Sequence, residues 1–165
     1  MKEIISILLS SILITSCGIY SFRGASIPAD AKTVSVAYFT TTATASPSSL
    51  NQTITEGLKD LFLSQTSLEL TELESNLSFS GQITKYELKP MAIQANETAG
   101  KNRLTIAIKV KYNNGFDNKK NFESTFSRFR DFSSSDNFAD VETVLIEEIT
   151  EELLEDVFNK AFVNW

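Results

Sequence analysis

The sequence predicts an α+β fold: a two-layer sandwich with a mixed, mostly antiparallel four-stranded sheet and two helices on one face, in the order β-α-β-β-β-α. Three observations carry this reading. Lys32–Tyr38 and Arg103–Tyr112 alternate apolar and polar residues, the pattern of half-buried strands. Residues 49–65 and 138–162 repeat apolar side chains at three- and four-residue spacing, the pattern of amphipathic helices. Strands outnumber helices, and both helices need an apolar sheet face to cover.

The elements follow in order. In the first strand Val34, Val36 and Tyr38 share one face. Residues 40–48 are rich in Thr, Ser and Ala around Pro47 and read as a flexible loop. Ser49 and Gln52 fit a capping box that opens the first helix. Leu50, Ile54, Leu58, Leu61 and Phe62 form its core stripe, and Asn51, Thr55, Glu56, Lys59 and Asp60 its wet side. Leu68–Leu70 is a candidate edge strand. Residues 77–88 alternate again, with Gly81 expected at a bulge or bend and Pro90 as the stop. Residues 91–102 read as the longest loop. Along Arg103–Tyr112, Leu104, Ile106, Ile108, Val110 and Tyr112 take one face and Arg103, Thr105, Ala107, Lys109 and Lys111 the other. Asn113-Asn114-Gly115 signals a tight hairpin with positive φ, and residues 121–132 return antiparallel with Phe122 and Phe126 on one side. After a polar cluster at 133–137, the longest helix runs from Phe138 to Phe162. Its stripe is Val141, Leu145, Ile149, Leu153, Val157 and Ala161, joined by Val144, Leu154 and Phe158.

Upstream of this domain, Ile4–Ile14 is an apolar run behind Lys2 and ends in Ile14-Thr15-Ser16-Cys17. It is shorter than the roughly 20 residues needed to span a bilayer and has the length of a signal-peptide core. The aliphatic–small–small–Cys order reads as a lipoprotein signal, residues 1–16, cut before Cys17, with Cys17 lipidated. The alternatives are a plain secretory signal with an incidental cysteine, or a core strand. Lipidation accounts for an otherwise unpaired thiol directly after a cleavage site. Residues 17–31 are then a tether and residues 32–165 a single domain. No acidic run follows Cys17, which favours the periplasmic face of the outer membrane as the location.

Composition narrows the function. The 165 residues include no histidine and one cysteine. That removes His-based acid–base chemistry, the usual nucleophilic triads, an internal disulfide and most transition-metal sites. No phosphate-binding loop, dinucleotide fingerprint or nucleophile elbow is present, and the acidic pairs Glu147/Glu148 and Glu151/Glu152 fall mostly on the wet side of a helix. The domain reads as non-enzymatic, without cofactor or metal. A net charge of −6 argues against nucleic acid. The charge is unevenly spread: residues 81–130 hold ten Lys/Arg against four Asp/Glu, and residues 131–165 hold one Lys against ten Asp/Glu. Lys85, Lys89, Arg103, Lys109 and Lys111 are therefore candidates for a surface that meets an anionic glycolipid or partner. They equally fit a solvated sheet face, with Lys discouraging edge pairing, or a complement to the acidic helix.

The order of these blocks resembles the LptE family of lipopolysaccharide-assembly lipoproteins. The match runs through Cys17-Gly-Ile-Tyr-Ser-Phe22, Gly24-Ala-Ser-Ile-Pro28, Lys32-Thr-Val-Ser-Val36 and residues 62–68. It continues through Phe79-Ser-Gly-Gln-Ile83 with Tyr86 and Pro90, then Asn102-Arg-Leu-Thr-Ile106 and Asn121-Phe-Glu with Phe126-Ser127-Arg128. It closes on Leu145-Ile-Glu-Glu-Ile149, Ala161-Phe162 and Asn164-Trp165. The resemblance implies a lipid-anchored sandwich on the inner leaflet of the outer membrane. It also implies a β-barrel partner, LptD, which the lipoprotein plugs while lipopolysaccharide is inserted into the outer leaflet. Binding of lipopolysaccharide itself is a further implication. The basic residues above are nominated from charge and strand parity, not carried over from the family. The competing reading is a periplasmic lipoprotein that binds anionic glycolipid directly as carrier or receptor, or a general envelope interaction module.

Overall fold

The computed structural model describes residues 27–92 and 100–163. Cys17, the signal segment, most of the tether and the middle of the 91–102 loop lie outside the described residues.

The α+β architecture is as predicted, with six strands rather than four. These are β1 Thr33–Val36, β2 Thr40–Thr41, β3 Glu69–Leu70, β4 Leu77–Met91, β5 Lys101–Asn114 and β6 Phe122–Ser133. Helix α1 spans Ser49–Gln65 and α2 spans Phe138–Phe162. The sheet order is β3-β1-β4-β5-β6, with β2 also paired to β4. β1 is parallel to β3 and β4, and the β4-β5-β6 meander is antiparallel.

The core lies between one sheet face and the two helices. β5 supplies Leu104, Ile106, Ile108, Val110 and Tyr112, all buried, as its period-two pattern predicts. β4 adds Leu77, Phe79 and Ile83, and β1 adds Val34. Leu50, Ile54, Leu58 and Phe62 of α1 and Ile149, Leu153, Val157 and Phe162 of α2 close the other side. At the centre Phe79 stacks on Tyr112 with ring centroids 4.6 Å apart and tilts against Phe62 at 4.9 Å. Burial pushes the Tyr112 hydroxyl up to about 12, so it stays neutral across the physiological range.

Several local expectations are corrected. β1 ends at Val36, and Tyr38 points outward, 60 % exposed. Phe39 goes inward in its place, fully buried. It is held there by α1: its N–H donates to Thr55 Oγ1 at 3.0 Å and its carbonyl accepts from Asn51 Nδ2 at 2.9 Å. Thr55 is therefore buried, and it and Asn51 work as a clamp rather than as wet-side residues. This docking starts β2 inside the predicted loop. The capping box does not form. Ser48 holds the N-cap position and makes no side-chain cap bond.

Gly81 is not the bulge. The register shift falls between Ile83 and Lys85. Gly81 serves a close approach instead: a Cβ there would lie 2.4 Å from Phe39 Cε1 and 2.7 Å from the Lys109 carbonyl oxygen. Pro90 does not stop β4; it pairs opposite Asn102. Among the described residues that half of β4 has only β5 beside it, so proline's missing N–H breaks no second ladder. The Asn-Asn-Gly turn is also not the tight hairpin expected. No described glycine has positive φ. Asn114 stays in β5, and its side-chain oxygen accepts from the N–H groups of Phe116 and Asp117, nucleating a longer link with a 3-10 turn at Asn118–Lys120. On α2, Val144 sits outside the core stripe, 54 % exposed.

Candidate functional site

The sheet face opposite the helices has no layer over it among the described residues. Strand pairing fixes its composition. Lys85, Glu87 and Lys89 from β4 lie level with Ala107, Thr105 and Arg103 of β5. Lys101, Arg103, Lys109 and Lys111 lie level with Ser133, Asp131, Thr125 and Glu123 of β6. Six cations thus share this face with three carboxylates on β4, β5 and β6, although the whole chain is acidic.

The five nominated residues all fall on this face, but in two groups. Arg103 and Lys109 are six positions apart on β5, roughly 20 Å at the usual strand rise. In the first group Arg103 makes a bidentate ion pair with Asp131 at 2.6 and 2.8 Å, and its guanidinium lies 3.6 Å over the Phe129 ring. These hydrogen bonds hold the Asp131 carboxyl below the usual carboxylate range. Lys89 and Lys85 share Glu87 at 2.8 and 2.9 Å, and both hold its pKa down. Such exposed pairs orient side chains more than they stabilise the fold.

The second group lines a groove of about 360 Å³ with Tyr38, Thr40, Ser80, Gln82 and Glu123. Lys109 is ion-paired to Glu123, whose pKa is lowered mainly by that contact. Lys111 also favours the ionised form of Glu123 through space but makes no ion pair of its own among the described residues. The groove thus has one ammonium without an ion pair among the described residues, a second paired to the Glu123 carboxylate, the hydroxyls of Thr40 and Ser80, the Gln82 amide and the exposed phenol of Tyr38. Those groups suit a ligand that presents both an anion and sugar-like hydroxyls. They supply no nucleophile–base pair, and no cluster of metal-ligating side chains occurs among the described residues.

Tyr38, Glu123 and Phe129 were not nominated from sequence. Tyr38 followed the strand alternation onto the wrong face because β1 stops two residues earlier. Glu123 and Phe129 were legible from β6 parity, since they oppose Phe122 and Phe126 in the two-residue repeat.

The acidic helix meets different cations. Arg128 of β6 pairs with Asp156 at 2.6 Å, and Arg130 bridges Glu148 at 2.8 Å and Glu152 at 2.6 Å. The expected complement to α2 therefore comes from β6 on the helix side, not from the nominated set. Tyr86 also ties the layers together by donating to Glu142, and burial with that bond raises its pKa.

No helix among the described residues is long and apolar enough to cross a membrane. The fold is similar to that of an uncharacterized lipoprotein B from Nitrosomonas europaea, solved by NMR. That match has a TM-score of 0.54 and 13% identity, covering 82% of this chain and 83% of that one. A putative neuraminyllactose-binding hemagglutinin homolog from Helicobacter pylori matches with a TM-score of 0.52 and 8% identity, over 86% and 88% of the two chains. A minor lipoprotein from Acinetobacter baumannii matches with a TM-score of 0.49 and 12% identity, over 80% and 96%. At these identities the first two likenesses concern the fold alone. No curated protein sequence matches. The family model of LptE, described as lipopolysaccharide-assembly, matches residues 31–161, which include every element from β1 to α2 save the last residue of α2. The chain belongs to the LptE family of lipopolysaccharide-assembly outer-membrane lipoproteins.

Proposed function

We propose that this chain plugs and supports an LptD-type outer-membrane β-barrel while lipopolysaccharide is assembled into the outer leaflet. It acts without catalysis, from the periplasmic side, held by a lipidated Cys17. The observation that carries the reading is the open sheet face. Among the described residues the domain builds its core on the other face and leaves a basic surface uncovered, on a chain of net charge −6. A face that folding does not need and whose charge opposes the chain's average suits an anionic partner. Family membership supplies the role in lipopolysaccharide assembly. The absence of histidine from the whole chain favours a contact role over an acid–base one.

The test is isolation of the full-length lipidated protein from outer membranes, with the co-purifying proteins identified. A large β-barrel recovered in comparable amount supports the proposal, and a preparation free of any barrel sinks it. Replacing Cys17 with Ala tests the anchor: the protein should leave the membrane fraction, and retention there would reject lipidation as the tether.

The Lys109–Lys111 groove favours a second reading, direct binding of the acidic glycolipid. Reversing both lysines to Glu should abolish retention on lipopolysaccharide-containing vesicles while the melting temperature holds. Unchanged retention would reject that groove as the binding site.

A further inference from the structure

The chain enters the domain at one end of the sandwich, and that end has its own chemistry. β1 starts there at Thr33. The Lys32 and Thr33 N–H groups donate to Asn76 Oδ1 at 2.9 and 3.2 Å, and the Asn76 carbonyl accepts from the Gly115 N–H at 2.9 Å. Asn76 thus gathers the start of β1, the start of β4 and the link between β5 and β6. The last turn of α2 reaches the same end: Lys160 Nζ lies 5.4 Å from the centroid of the Phe122 ring, where β6 begins.

The cations sort by position. Every described arginine has a carboxylate partner, and so do Lys59, Lys85, Lys89 and Lys109. Lys32, Lys111, Lys119, Lys120 and Lys160 make no ion pair among the described residues, and all five lie at or near this end. Asp30, Glu69, Glu74 and Asp117 share the end without pairing to them, and Asp117 Oδ1 accepts from the Lys119 N–H at 3.0 Å. Phe116 stands beside the lysines in the β5–β6 link, 48 % exposed. Solvation accounts for single lysines, and the helix dipole accounts for Lys160 at the C-terminus of α2. Neither accounts for the gathering of unpaired ammonium groups where the chain enters the domain, on a molecule of net charge −6.

Cys17 precedes Ile27 by ten residues, so the chain between them spans at most about 35 Å. Whatever surface holds Cys17 therefore holds this end of the domain close to itself. A lipid chain combined with a basic patch is a two-signal mode of membrane attachment, and lysines near an anionic leaflet are attracted to it over about one Debye length. We propose that the β5–β6 end of the domain rests on the anionic phospholipid headgroups of the leaflet that holds the anchor. Lys32, Lys119, Lys120 and Lys160 meet the phosphates, and Phe116 dips into the interface. The opposite end, where Phe132 packs on Phe138, then points away from the bilayer. The proposal rests on a lipidated Cys17, and it is independent of the barrel and of the glycolipid groove.

The test uses the lipidated protein floated with phosphatidylcholine vesicles, with and without phosphatidylglycerol. A fluorophore is attached to one introduced cysteine, Asn118→Cys at the basic end or Val144→Cys on the exposed side of the first half of α2, and is quenched by nitroxide-labelled headgroups. In the anionic vesicles quenching should be strong at the first position and weak at the second. Most of that difference should be lost on adding salt, on omitting phosphatidylglycerol, and in the triple variant Lys32→Gln, Lys119→Gln, Lys120→Gln, because each removes headgroup attraction without touching the core. Phe116→Ser should reduce it less. Wild-type protein that fails to float would overturn the anchor and this orientation together. Floating protein with equal quenching at the two positions, or with quenching unchanged in the triple variant, would overturn this orientation alone.

Discussion

The two faces of the sheet are made from alternate residues of the same strands, yet they have opposite fates. On β5, Leu104, Ile106, Ile108, Val110 and Tyr112 are sealed under two helices, while Arg103, Lys109 and Lys111 stand on the uncovered side. The sealed face carries the stability and admits little change. The open face is held by exposed ion pairs and is free to be specified by a partner. In the proposed role, separating these tasks lets one thin sheet serve as both core wall and contact surface.

Substitutions on the two sides should differ sharply, and the largest effect belongs to the aromatic centre. Phe79→Ala removes a ring that touches Phe62, Tyr112 and Phe162. It should cost about 3–5 kcal/mol in denaturant unfolding; a loss below about 1 kcal/mol would show that the helices do not seal this face. Gly81→Val comes next. The added side chain meets Phe39 and the Lys109 carbonyl, so overpacking should cost about 1–3 kcal/mol and undock β2. Melting temperature unchanged by this variant would contradict the close approach.

The charged contacts, Arg130–Glu152 between the layers and Arg103–Asp131 within the open sheet face, should matter less and depend on pH. Glu152 is lowered by Arg130 and Asp131 by Arg103, so their folded pKa values lie below the unfolded ones. Their stabilisation is complete above the unfolded carboxylate range and is lost as pH falls through the folded values. The melting temperature should be flat above about pH 5 and decline below about pH 4. Arg130→Gln should lower it by a few degrees at most near neutrality and make the acid decline shallower. An identical acid profile in that variant would remove the pairs from the account. Smallest of all, Lys111→Ala should stay within about 0.5 kcal/mol of wild type; a large loss would mean that the open face takes part in folding after all.

The same contrast explains what the residues revealed before the structure. The sealed face was readable because burial imposes period two on β5 and helical spacing on α1 and α2, over segments long enough to repeat. The charge on the open face followed from the same parity, which put Lys109 and Lys111 side by side correctly. What escaped notice depends on contacts between distant segments. β2 is two residues long and exists because Asn51 and Thr55 hold Phe39, so no local pattern announces it. The Asn-Asn-Gly link looked like a tight turn, but the Asn114 side chain ties it into a longer one. Gly81 looked like a bend because the glycine itself gives no hint of the Phe39 ring that needs the space. The groove needed Tyr38 and Glu123 from two other segments, which strand parity on β5 alone does not bring together.

The most direct test of the central claim compares barrel recovery from outer membranes for the wild-type protein and for the Lys109→Glu/Lys111→Glu variant, with equal anchoring and equal melting temperature established first. The account predicts that wild type brings down a large β-barrel and that reversal of the open face cuts its recovery sharply. Equal recovery from both would contradict a working role for the open face, and recovery from neither would contradict the barrel partner itself.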